Sequence, residues 1–125
     1  MKQIRLSERA QADLAELLST SAINFGVAAR RRYASLIGAA FDDLAAASER
    51  PGSRAAPELG DGLRLYHIRN SRRRIAADTV RKPRHVIVYR VVGEIVAVVR
   101  LLHDAMDFAA QLDPAVAPHG QLRQN

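Results

Sequence analysis

The chain has 125 residues, no cysteine and a formal net charge of +6. Its length suits one domain with a single core. The missing thiols exclude disulfides and thiolate metal sites, and no apolar stretch approaches the ~20 residues of a membrane span. Aromatic residues make up only 5% of the chain, so the core must be built from Leu, Val, Ile and Ala. Met1 to Arg5 carries no apolar signal region, and the expected compartment is the cytoplasm. A basic balance calls for an acidic counterpart: nucleic acid, an acidic protein or a membrane surface.

Gln3 to Leu6 alternates polar and apolar residues, which predicts a short strand. Ser7 then stands as an N-cap, because its hydroxyl can accept from a free N–H of the first helical turn. Ala10, Leu14, Leu17, Leu18 and Phe25 recur on one helical face, with Glu8, Arg9, Asp13 and Glu16 elsewhere. Gly26 is the expected stop. A second helix is predicted from about Val27 to Ala47, with Tyr33, Leu36, Ile37, Ala40, Phe41 and Leu44 on its apolar face. Arg30, Arg31 and Arg32 open it against the helix dipole. So short a break requires the two helices to fold back as a hairpin.

Arg50-Pro51-Gly52 ends the second helix, and Pro57 and Gly60-Asp61-Gly62 bracket a loop. Leu63 to Arg69 alternates, with Leu63, Leu65 and His67 on one face and Arg64, Tyr66 and Ile68 on the other, which predicts a half-exposed strand. Asn70 to Arg84 is polar and basic, is interrupted at Pro83, and reads as a long loop. Val86 to Val92 predicts a central strand, Gly93-Glu94 a hairpin turn, and Ile95 to Leu102 the last strand. A short helix is expected after Asp107, to about Leu112, followed by a flexible tail over 114–125 marked by Pro114, Pro118 and Gly120. The expected fold class is α+β: an N-terminal strand and a helical hairpin packed on a mainly antiparallel four-stranded sheet, in one domain over 1–113. The sheet face away from the hairpin is expected to be less apolar and to be the working surface.

The last strand leaves the sheet through Leu101-Leu102-His103-Asp104-Ala105-Met106-Asp107, where a Gly, Asn or Pro turn would be usual. Such an ending fits a helix N-terminus capped by Asp104 or a catalytic His–Asp pair, and spacing favours the cap. His67, His85 and His103 fall on neighbouring strands, yet none has a local partner at ligand spacing, so no metal is expected. No phosphate-binding, dinucleotide-binding or hydrolase motif is present, and no cofactor is expected.

A nuclease would need a proton acceptor, a proton donor and cations for the phosphorane charge. His85 or Tyr89, His103, Arg64 and Arg90 are the candidates. The preferred reading packs Tyr89 in the core with its hydroxyl at the rim and leaves the arginines to solvate an open face. From Gly62 to Gly93 the chain carries nine basic residues (Arg64, Arg69, Arg72, Arg73, Arg74, Arg81, Lys82, Arg84 and Arg90) against one acid, Asp78. This run fits a phosphate backbone, an acidic partner protein or a solubilising loop. No aromatic residue lies between the charges of the loop, so base stacking there is not expected.

The ordered set of Phe25-Gly26 at the helical bend, Arg50-Pro51-Gly52, Gly60-Asp61-Gly62-Leu63-Arg64, His85-Val86-Ile87-Val88-Tyr89-Arg90 and Val99 to Asp107 resembles the ParE toxins of the RelE/ParE superfamily. The resemblance covers about Ile4 to Asp113. It implies the toxin of a type II toxin–antitoxin module, acting on DNA gyrase without catalysis and neutralised by a ParD-like antitoxin through which the complex meets DNA. The alternative it implies is a RelE-like, ribosome-dependent mRNA endoribonuclease. Those enzymes use a basic cluster with a terminal Tyr, whereas the last Tyr here is Tyr89 and the last strand leads into His103 and Asp107. Target contacts are expected at Arg72, Arg73, Arg74, Arg81, Lys82, Arg84, His103 and Asp107. Antitoxin contacts are expected at Leu14, Leu17, Leu18, Tyr33, Ile37 and Phe41 on the helices.

Overall fold

The computed structural model describes residues 1–74, 80 and 82–112. Strand β1 (Gln3–Leu6) leads into helices α1 (Glu8–Phe25) and α2 (Val27–Ala46). Strands β2 (Ser53–Ala55) and β3 (Arg64–His67) follow, then a 3-10 helix (Ile68–Arg74), the long hairpin of β4 (His85–Val92) and β5 (Ile95–His103), and a short helix α3 (Phe108–Leu112). The sheet has the order β1-β5-β4-β3-β2, with β1 parallel to β5 and the other pairs antiparallel. The α+β class and the mainly antiparallel sheet are as the sequence predicts. The expected four strands are five, because Ser53–Ala55, between Gly52 and the Pro57 loop, pairs with β3. Three residues, two of them polar, are too few to display a strand period.

Ser7 caps α1 as expected, accepting from the Ala10 N–H at 3.0 Å. The same hydroxyl donates to the Val99 carbonyl at 2.8 Å. That carbonyl is available because the β4–β5 register slips beside Val88 and Tyr89, which leaves Val99 without a partner on β4. Gly26, at φ +93, joins the two helices with a conformation that an L side chain resists.

The hairpin lays Ala10, Leu17, Leu36, Ile37, Ala40 and Leu44 on Tyr66, Ile87, Tyr89, Val96 and Val98 of the sheet. The opposite sheet face departs from the expected exposed working surface. It carries its own cluster of Ala56, Leu63, Leu65, Val86, Val88 and Leu102, against which Leu59 of the β2–β3 loop and Phe108 and Leu112 of α3 pack. β3 is accordingly buried on both faces at Leu65, Tyr66 and His67. The strand also stops sooner than predicted, at His67, and the chain turns helical before the basic run.

That turn is held by a buried polar chain. The Ser71 hydroxyl donates to the Asp43 carboxylate. Ser71 thus has no proton left for Tyr66, so the Tyr66 hydroxyl donates to Ser71 at 2.8 Å. Asp43 also meets Arg50 at 3.5 Å. A second buried pair joins the layers. Asp13 of α1 takes the Arg100 guanidinium in a two-pronged contact at 2.7 and 3.0 Å and accepts from the Leu101 N–H at 3.0 Å. Arg100 also donates to the Gln111 carbonyl of α3. Asp13, which the helical pattern sets on the polar face, is therefore a clamp between α1, β5 and α3. No described helix is long and apolar enough to cross a membrane.

Candidate functional site

One end of the β4–β5 hairpin gathers the histidines. His85 opens β4 and His103 closes β5, and the two are register partners. Their rings meet edge to face with centroids 5.4 Å apart, and Tyr33 of α2 meets the His85 ring in the same way at 5.5 Å. The Tyr33 hydroxyl accepts from the Arg84 N–H at 2.9 Å and lies 2.7 Å from His85 Nδ1. His103 Nδ1 accepts from the Ala105 N–H at 3.1 Å.

Asp104 does not cap the following helix. Its carboxylate takes His67 Nε2 at 3.0 Å and Arg84 Nε at 2.9 Å, while its own N–H donates to the Arg84 carbonyl at 2.7 Å. The cap belongs to Asp107, whose Oδ1 accepts from the Ala110 N–H at 3.3 Å. His103 Nδ1 stands 3.7 Å from Asp104, too far for a hydrogen bond. The His–Asp couple of this ending is thus His67 with Asp104, from strands far apart in sequence. Its purpose is local order, since His67 Nδ1 also accepts from the Arg69 N–H and sets the turn into the 3-10 helix.

Burial shifts these groups. His85 is pushed down from 6.5 to about 4, first by loss of solvent and then by repulsion from His103. Desolvation also lowers His67, partly offset by Asp104, and the His67 hydrogen bond lowers Asp104. Desolvation raises Tyr33. At neutral pH, His85 and His67 are therefore uncharged and Tyr33 keeps its proton.

The histidine end opens into a cleft of about 1220 Å³ between the helical hairpin and the basic segment. Leu17, Phe25 and Ala29 give it an apolar wall; Arg32, Arg72, Lys82 and Arg84 give it cations. A second hollow beside it is lined by Arg69, Arg72, Arg73 and Lys82. Of the residues expected to meet a target, the structure thus gathers Arg72, Lys82, Arg84 and His103 in one cleft and sets Arg73 next to it. Asp107 lies apart, as a helix cap. Arg81 and the side chain of Arg74 lie outside the described residues, as does the expected tail over 114–125.

The residues expected to meet an antitoxin face the sheet. Ile37 and Leu17 are core, and Leu14, Leu18, Tyr33 and Phe41 pack partly against it. The apolar surface the hairpin leaves in solvent is at its tip, where Ile23, Phe25 and Val27 are 80%, 75% and 63% exposed. Of these, the helical pattern placed Phe25 on the apolar stripe. Phe25 is largely exposed there and lines the cleft.

The nuclease candidates separate. Arg64 sits opposite Tyr89 and donates to Ser53 Oγ at 2.9 Å; Arg90 donates to the Asp61 carbonyl at 2.8 Å. Tyr89 is fully buried and its hydroxyl donates to the Ser48 carbonyl. Tyr89 and Arg90 lie four and five residues along β4 from His85, which is about 13–17 Å at strand rise. Among the described residues no group of three His, Asp or Glu is arranged to hold a metal.

Residues 4–108 match the family model described as the ParE toxin of the type II toxin–antitoxin system parDE. The chain is 34% identical over 112 residues to Toxin ParE1 of Caulobacter vibrioides, covering 90% of this chain and 99% of that one. Among solved structures it resembles a chain of the chromosomal ParDE TA system from P. aeruginosa, with a TM-score of 0.61 and 17% identity over 82% of this chain and 96% of the other. A copper-bound mutant toxin from Helicobacter pylori shares the fold at a TM-score of 0.55 and 19% identity, over 84% of this chain and 97% of that one. With its sequence matched almost end to end and the fold in agreement, the chain belongs to the ParE toxin family of type II toxin–antitoxin systems.

Proposed function

We propose that this toxin acts by binding and poisoning DNA gyrase, without catalysis of its own, and that a ParD-like antitoxin neutralises it in the cytoplasm. The observation that favours this reading over mRNA cleavage is the separation of His85 and His103 from Arg64 and Arg90, the residues considered for a nuclease. His85 and His103 stand at one end of the hairpin, while Arg64 and Arg90 hold Ser53 and the β2–β3 loop further along it. General acid–base chemistry on a phosphodiester needs these groups within hydrogen-bond reach of one another through the substrate. The family match and the likeness to a ParDE system support a partner antitoxin. The basic cleft at Arg72, Lys82, Arg84 and His103, with Arg73 beside it, is the surface we assign to the target. Arg74, Arg81 and Asp107 border it in sequence. The helical hairpin, with Leu14, Leu17, Leu18, Tyr33, Ile37 and Phe41 behind its surface, is the side we assign to the antitoxin.

The test pairs two assays. Purified chain added to a gyrase supercoiling reaction is expected to inhibit it or trap cleaved DNA, and added to a translation extract it is expected to leave mRNA intact. Cut mRNA with gyrase untouched would reverse the assignment. Co-expression with the product of the adjacent reading frame is expected to yield a complex that restores gyrase activity.

A further inference from the structure

We propose that the second hollow, beside the histidine cleft, is a phosphate site through which the toxin itself takes the phosphodiester backbone of nucleic acid. The hollow has a volume of about 590 Å³ and two rims. Arg69, Arg72 and Arg73 of the 3-10 helix form one rim; Lys82 and Arg84, on either side of buried Pro83, form the other. A 3-10 helix has three residues per turn, so Arg69 and Arg72 stand on one face about 6 Å apart along the axis, with Arg73 next to them. All five basic residues are exposed. Among the described residues no acid lines the hollow, and no carboxylate pairs with the side chain of Arg69, Arg73 or Lys82.

Five cations around one hollow repel one another, so the fold must hold them in place. It does so through the His67–Asp104 couple. His67 Nδ1 accepts from the Arg69 N–H at 3.1 Å, and the His67 carbonyl accepts from Asn70 Nδ2 at 3.0 Å. Ser71, next in the same turn, is tied to Asp43. On the other rim, Asp104 accepts from Arg84 Nε at 2.9 Å, and its own N–H donates to the Arg84 carbonyl at 2.7 Å. Asp104 and His67 Nε2 are 3.0 Å apart, so one pair of side chains sets the spacing of both rims. Arg84 is partly neutralised by Asp104, and the attraction comes chiefly from the 3-10 helix and Lys82.

The lining selects the ligand. Guanidinium forks pair two-pronged with phosphate oxygens. Apart from the Pro83 ring the hollow has no apolar wall, whereas the neighbouring cleft has Leu17, Phe25 and Ala29. A protein segment would leave its apolar side chains bare here, while a phosphate backbone needs only charge. No aromatic residue lines the hollow, so bases have nothing to stack on and binding is not expected to read sequence. The inference goes beyond the gyrase reading, which requires only a protein contact, and it is tested without gyrase.

The experiment measures binding of the full chain to two short DNA duplexes of equal length and unrelated sequence, an RNA duplex of the same length, tripolyphosphate and a capped oligoglutamate. The two DNA duplexes are expected to bind equally, within about twofold. Their affinity should fall about 100-fold between about 50 and 200 mM salt, the slope of about four neutralised phosphates. Arg69→Gln and Arg73→Gln are each expected to weaken binding about fivefold to tenfold and to lower the salt slope by about 1. Arg5→Gln, on the edge strand β1 far from β3, removes the same charge and should weaken binding by less than about twofold. Arg5, Arg69 and Arg73 are all exposed, so the three variants are expected to fold as the parent does. Binding of either duplex type with these slopes supports the site, and the tighter of the two names the source of the backbone. No duplex binding at low salt, an equal loss in Arg5→Gln and Arg73→Gln, or a sequence preference above about tenfold would overturn the proposal. So would tighter binding of oligoglutamate or tripolyphosphate than of either duplex.

Discussion

The fold disfavours a charge on His85, and this has a measurable consequence. Its pKa falls from 6.5 to about 4, chiefly because burial strips its solvent and then because His103 faces it across the strand pair. Asp104 and, more weakly, Asp13 oppose the shift, and His67 adds to it. The unfolded chain therefore takes up the proton first, so stability is complete above about pH 6.5 and declines as pH falls toward 4. Linkage gives a loss of ~2.5 kcal/mol between about pH 7.5 and pH 4.5, from ~1.4 kcal/mol per pKa unit. With a urea slope of ~1–2 kcal/mol per molar, that moves the midpoint by about 1.3–2.5 M. The assay is urea unfolding of the parent and of His85→Gln at both pH values. Both proteins keep His67, whose own shift acts in the same direction, so the difference between them isolates His85. Parent and variant losing stability in parallel, within ~0.5 kcal/mol, would refute the account of a buried neutral imidazole.

Removing Arg100 should be among the most damaging single changes. Arg100→Ala strands Asp13 without its counterion, for about 3–5 kcal/mol and a melting temperature lower by about 10 °C or more. Gly52→Ala is expected to cost more than Gly93→Ala. Both have positive φ, but a Cβ at Gly52 would lie 2.8 Å from the Asn70 side chain, whereas Gly93 has open space around it; thermal melts check the order. Asp107→Ala should cost about 0.5–2 kcal/mol through loss of the α3 cap, read by urea unfolding. Neither it nor His103→Ala should remove RNA cleavage, because the parent is expected to show none in a translation extract.

The helical hairpin was legible because its two apolar stripes run at helical spacing for several turns, and Ser7 and Gly26 punctuate them. β4 and β5 were legible as long apolar runs around Gly93. What escaped was set by long-range pairing. Ser53–Ala55 becomes a strand only because β3 offers it an edge. Ile68 continues an alternating pattern, yet Ser71 draws the backbone into a helical turn by reaching Asp43 of α2. At the candidate site the same limit applies. The basic run and His103 were visible, and so was Asp104. That Asp104 would serve His67 instead of a helix or His103 depends on the β3–β4–β5 register, which no local spacing encodes. The covering of the second sheet face was missed for a related reason: Leu63, Leu65 and Val88 acquire a lid only once α3 folds back on them.

These pairings also shape the field outside the molecule. Asp13, Asp43 and Asp104 are each turned against an arginine, Arg100, Arg50 and Arg84 in turn, so they cancel locally. The remaining surface acids that the structure places, such as Glu8, Glu16, Asp42, Glu49, Glu58 and Glu94, are exposed, and none of them lines the cleft. Arg32, Arg72 and Lys82 do line it. Several cations are therefore gathered at the end of the sheet where the two imidazoles lie. A low-dielectric apolar wall beside such a patch concentrates its field. The ending of the last strand thus has a structural role. Asp104 ties Arg84 to His67, beside the paired His85 and His103 that line the cleft.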